Sequence, residues 1–177
     1  MLEGADASRE AVLAGLREAD VVHLAAHGQL LSRSLPSYLE LAGEGGSVAP
    51  LDSDLILQLQ IPASLVTLSA CKSARGGHAG GEALINSLAR SFLAAGASSV
   101  VGSLWDVDDQ GTAALMRRFY ERLGEGGSPG SALAGAQRSL ATAPAADCEF
   151  SHPWFWAGFV TVGAPGDSHN SGSSHAL

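Results

Sequence analysis

Cysteine is nearly absent from these 177 residues, with only Cys71 and Cys148 present. Two thiols are too few for a disulfide scaffold and unlike a metal cluster, so no metal or other cofactor is expected. Aromatic residues make up 6% and charged residues 16% of the chain, against 46% hydrophobic types. Such a balance excludes a mostly disordered chain. Basic residues are also scarce, 10 against 18 acidic ones, for a net charge of −8. That sign disfavours nucleic acid or an anionic membrane as the main partner. No apolar run is long enough to span a bilayer, and Met1-Leu2-Glu3-Gly4-Ala5-Asp6 lacks the basic start and apolar core of a signal peptide. The expectation is a single soluble domain in a reducing, cytoplasmic compartment, long enough to bury a core unaided.

What the chain does have is an alternation of strand and helix patterns, the signature of βαβ units. Two apolar runs each end in a reactive side chain: Val21-Val22-His23-Leu24-Ala25-Ala26-His27-Gly28 and Leu65-Val66-Thr67-Leu68-Ser69-Ala70-Cys71. Both read as strands of a parallel sheet covered by helices on both faces. A third apolar strand is expected over 98–105 and a last one over 156–162. Helices are expected to about Glu18 behind Asp6 and Ser8, over 52–59, over 82–95 with Gly96 as C-cap, over 109–123, and from Pro129 to about Thr142. Residues 29–50 form a Gly/Ser/Pro-punctuated stretch with one short strand at Tyr38-Leu39-Glu40-Leu41. From Ala164 to Leu177 the composition predicts a disordered tail.

In open α/β sheets ligands bind at the carboxyl ends of the strands. A His and a Cys placed there on different strands satisfy what a cysteine nucleophile and its base require. Cys71 ends its strand, whereas a structural cysteine more naturally sits mid-strand; read alone, it divides evenly between the two. Cys148, between Asp147 and Glu149, reads as incidental. Gly28 follows His27 and lets a substrate approach the backbone, so the N–H groups of Gly28 and Cys71 are candidate oxyanion donors. His23 shares a face with His27 on an alternating strand, but its apolar neighbours favour a satisfied core histidine over a metal ligand. The loop Arg75-Gly76-Gly77-His78-Ala79-Gly80-Gly81 lacks the Gly-Lys-Ser/Thr ending of a P-loop. Absence of Gly-x-Ser-x-Gly counts against a serine α/β-hydrolase. Asp106, Asp108 and Asp109 follow the third strand, where they serve either a pocket for a basic side chain or, for at least one, the cap of the next helix.

His27-Gly28 and Ser69-Ala70-Cys71 together resemble the dyad of caspase-like cysteine peptidases of clan CD. The stretches 89–97 and 100–109, Phe119-Tyr120, 132–137 and 153–159 resemble the CHAT domain, found in bacteria and eukaryotes and often joined to tetratricopeptide repeats. The likeness covers about residues 2–163, so 1–163 are expected to form one CHAT domain. It implies a caspase-like three-layer α/β/α fold around a mostly parallel sheet. By the same resemblance His27 is the general base and Cys71 the nucleophile of an intracellular endopeptidase of caspase or separase type. Its substrate would be a protein or peptide, with Asp106, Asp108 and Asp109 suggesting a basic residue before the scissile bond.

The family carries one or more strands ahead of the His strand, whereas here that strand begins about twenty residues from Met1. The expectation is a sheet truncated at its N-terminal side, its edge completed by a missing segment or a partner chain. A second reading therefore stands beside the peptidase: a catalytically inactive or remnant caspase-like interaction module, part of a larger protein.

Overall fold

A computed structural model describes residues 1–29, 37–69, 80–143 and 149–163, with side chains of the central helix described from Ser87 onward. The expected tail from Ala164 lies outside the described residues. The elements run α1 (Arg9–Leu16), β1 (Val21–Leu24), β2 (Gly28–Gln29), β3 (Tyr38–Ala42), β4 (Val48–Asp52), α2 (Ser53–Leu57), β5 (Leu65–Leu68), α3 (Gly80–Ala94), β6 (Ser99–Ser103), α4 (Asp109–Gly124), α5 (Pro129–Ala141) and β7 (Phe159–Gly163).

Local chemistry sets most of the helix ends. The side chains of Ser8, Asp52, Asp108 and Ser128 each accept a hydrogen bond from a backbone N–H in the first turn of α1, α2, α4 and α5. Each thereby satisfies one of the donors a helix leaves unpaired. Pro129 follows its cap at the first position of α5, where its missing N–H costs nothing. At the end of α3, Gly96 takes φ +115°, and a Cβ there would sit 2.9 Å from the Ile61 carbonyl oxygen. Its N–H bonds the Leu93 carbonyl and Ala97 N–H bonds that of Phe92. Only glycine suits that left-handed cap.

The main sheet has the order β1-β5-β6-β7. β1, β5 and β6 are parallel and β7 is antiparallel to β6. Successive side chains point to opposite faces, so two cores form. Val22, Leu24, Val66, Leu68 and Val100 pack with buried residues of α1, α2 and α3, Phe92 among them. Leu65 and Val101 pack with Phe119 and Leu115 of α4, Leu133 and Leu140 of α5, and Phe159. The result is the expected three-layer α/β/α arrangement with a mostly parallel sheet.

Two features differ from the sequence reading. The first strand stops at Leu24, and Gly28-Gln29 leave it to start a second, antiparallel sheet of order β2-β3-β4. Ala25 and Ala26 prolong the apolar run without prolonging the pairing. Within the described residues β1 lies at the sheet edge, as a truncated sheet leads one to expect, but only Val22 and Leu24 of its four residues are buried, where the apolar run predicts burial on both faces. Helices do not cover both of its faces.

Candidate active site at the carboxyl ends of β1 and β5

β1 and β5 are direct neighbours, paired Val21 with Leu65 through Leu24 with Leu68. Their carboxyl ends therefore come out side by side. Ser69 N–H donates to the Leu24 carbonyl at 3.0 Å, extending the contact one step past the ladder. His27 follows three residues after β1 and is exposed. Cys71 follows Ser69 by two positions and lies outside the described residues, as do His78 and Cys148.

Gly28 is buried and sits opposite Leu39. Glu40 N–H donates to the His27 carbonyl at 2.8 Å. In an antiparallel ladder that bond makes Gly28–Leu39 a non-hydrogen-bonded pair, so Gly28 N–H faces away from β3.

The three acidic candidates separate. Asp108 accepts from Gly111 N–H at 2.8 Å and caps α4, which is the alternative role expected for one of them. Asp106 is exposed, in the turn after β6. Asp109 lines a groove of about 870 Å³ together with His23, His27 and Ser69. Glu40 lines the same groove, where its carboxylate accepts from Gln29 Nε2 at 2.8 Å. Sequence reasoning missed Glu40, because only the pairing of β2 with β3 brings it beside His27. The rest of the groove is largely apolar and runs along β1 past Val12, Leu16 and Val21 to Leu2.

His23 has partners the sequence did not reveal. Its Nε2 lies 2.9 Å from Ser69 Oγ and its Nδ1 3.0 Å from Tyr120 Oη. Tyr120 in turn donates to Thr67 Oγ1 at 3.0 Å. The His23 and Tyr120 rings stack at 5.6 Å. Partial burial lowers the His23 pKa, favouring the neutral imidazole. Burial likewise raises that of Tyr120, opposed in part by the Thr67 hydrogen bond. Hydrogen-bonded on both nitrogens, His23 is a satisfied histidine, and among the described residues no cluster of three or more His, Cys, Asp or Glu could hold a metal ion.

The CHAT domain family model matches residues 1–164. The chain belongs to the CHAT domain family. Human tetratricopeptide repeat protein 28 is 30% identical over 197 aligned residues, covering 92% of this chain and 8% of that protein. The mouse protein of the same name is 28% identical over the same shares. This CHAT domain thus spans a small part of the curated relatives it matches. Its mixed α/β sheet is the caspase-like architecture that membership implies. Among the described residues no helix is long and apolar enough to cross a membrane.

Proposed function

We propose that this CHAT domain is a cysteine endopeptidase in which His27 is the general base and Cys71 the nucleophile. The observation that carries this reading is the parallel pairing of β1 with β5, whose chain ends lead directly to His27 and toward Cys71. In the first step His27 takes the Cys71 thiol proton and the thiolate attacks a peptide carbonyl. The carbonyl oxygen becomes an oxyanion, for which Gly28 N–H is the described donor and Cys71 N–H the second candidate. The C–N bond then breaks and His27 returns the proton to the leaving amine. Water, deprotonated by His27, hydrolyses the thioester, releasing the acid and restoring the thiol.

Asp109 and Glu40 put two acidic side chains in the groove that His27 lines. Both favour Lys or Arg near the scissile bond, by attraction of opposite charges in a partly desolvated cleft. The apolar length of the same groove favours the second reading, a non-catalytic domain that binds a partner segment. Cleavage of a fluorogenic peptide library by the wild-type chain, with Cys71→Ala in parallel, separates them. Turnover after basic residues that disappears in the variant is the expected result. No turnover from either folded protein would leave the interaction module as the reading.

A further inference from the structure

The chain of hydrogen bonds Ser69–His23–Tyr120–Thr67 takes no part in the chemistry above, yet it joins the two strand ends on which that chemistry depends. We propose that His23 is a positioning residue, whose Nε2 pins the Ser69 hydroxyl and so fixes the end of β5, two residues ahead of Cys71, against the segment leading to His27. The inference rests on the peptidase reading, because it names what holds the two arms of that dyad together.

The direction of the bonds fixes the imidazole. Tyr120 gives its proton to Thr67 Oγ1, so its oxygen is left to accept from His23 Nδ1–H. Nε2 then carries a lone pair and accepts from the Ser69 hydroxyl. The tautomer is set from α4 instead of by solvent. Ser69 is held twice over, since its N–H also donates to the Leu24 carbonyl at 3.0 Å. A serine bonded to an imidazole also has the outline of an activated nucleophile. Here, however, the group behind the imidazole is a phenol kept neutral by burial, which offers no anion to stabilise an imidazolium. A chain of neutral groups of this kind supplies orientation.

Two substitutions separate the contact with Ser69 from the contact with Tyr120. A glutamine amide reaches to where Nε2 stands, and an asparagine amide to where Nδ1 stands. His23→Gln therefore retains the bond to Ser69, and His23→Asn retains only the bond to Tyr120. The measurement is the rate of iodoacetamide alkylation of Cys71 against pH, with sites read by mass spectrometry and folding by circular dichroism. Wild-type and His23→Gln rates should agree within about threefold, while His23→Asn slows by about tenfold or more, since small displacements of a reacting group carry penalties of that size. Equal rates in the two folded variants, or a wild-type rate in His23→Asn, would overturn the proposal and leave the dyad reading standing. Wild-type Cys71 reacting no faster than Cys148 would sink the dyad reading, and this proposal with it. Phosphonylation of Ser69 by a fluorophosphonate, its oxygen bonding to phosphorus as fluoride leaves, would replace positioning with a nucleophilic role. Should His23→Asn not fold, Ser69→Ala takes its place: slowed Cys71 alkylation supports the proposal and an unchanged rate refutes it.

Discussion

β1 and β5 are almost the same strand written twice. Val21-Val22-His23-Leu24 pairs residue by residue with Leu65-Val66-Thr67-Leu68, and both read apolar, apolar, polar, apolar. Yet all four residues of β5 are buried, whereas Val21 and His23 of β1 are exposed. The difference is one of neighbours. β5 has a strand on each side, while β1 has β5 alone among the described residues. Hydropathy reports what a strand tolerates, and its place in the sheet decides what is covered. The third position shows this most directly. Thr67 is wholly buried, and its paired residue His23 stands beside the groove, both reached by Tyr120.

The largest expected effect tests the buried side of the comparison. Leu68 is 1% exposed and packs in the core shared with α1, α2 and α3. Leu68→Ala should cost about 2–5 kcal/mol, from lost burial plus the cavity left behind. Urea denaturation followed by circular dichroism measures it. A cost below about 1 kcal/mol would mean that β5 is not the closed centre of the sheet.

How far the sequence carries depends on the range of the interaction concerned. Helix ends were legible where their chemistry is local: Ser8 and Asp108 act within three residues of themselves and Gly96 within four. Asp52, read as the first helical residue, and Ser128, not singled out beside Pro129, emerge as caps only in the structure. The parallel strands were legible from their apolar runs. β4 was not, because Val48–Asp52 contains Pro50 and sits in a stretch that composition assigns to loop. Its place at the edge of the second sheet lets that proline go without a ladder bond. The end of β1 at Leu24 was hidden too, since Ala25 and Ala26 keep the run apolar. At the candidate site His27 and Gly28 are candidates named from a short motif, and the structure describes both. The partners of His23 were not legible, for Ser69 and Tyr120 lie 46 and 97 residues away.

A smaller effect bears on α4, which carries Tyr120 to the shared face of the two strands. Asp108→Ala removes the acceptor for Gly111 N–H. A loss of about 1 kcal/mol is expected, the usual worth of an N-cap. It would read as a small drop in melting temperature at unchanged cooperativity. No change would mean that water or a neighbouring group replaces the cap.

Below that comes the pH dependence of His23. Its folded pKa lies below the ordinary value of 6.5, so near and below that value the unfolded chain binds more protons. Stability then rises with pH through the window beneath 6.5 and levels off above it. The effect is modest because the ring keeps some contact with water. His23→Gln should flatten this part of the stability profile, and the difference between the two curves isolates His23 from the other carboxyl and imidazole groups. An unchanged slope would show that His23 is as well hydrated in the folded chain as in the unfolded one.

The smallest expected effect is the most telling about the open side of the sheet. Val21 is 45% exposed, while its paired residue Leu65 is 1% exposed. Val21→Thr keeps the branched shape and the strand preference and adds one hydroxyl, which at an uncovered position should change stability by no more than about 0.5 kcal/mol. The same substitution under a covering strand or partner would place that hydroxyl where it has no partner, at a cost of about 1–3 kcal/mol. Denaturation midpoints at two protein concentrations decide between them. A small, concentration-independent change keeps β1 as a free edge facing the groove. A large loss at high concentration that shrinks on dilution, as the covering chain leaves both proteins, would mean that a second chain pairs along β1 in solution, and the groove would then be read as the seat of that partner and not as open surface.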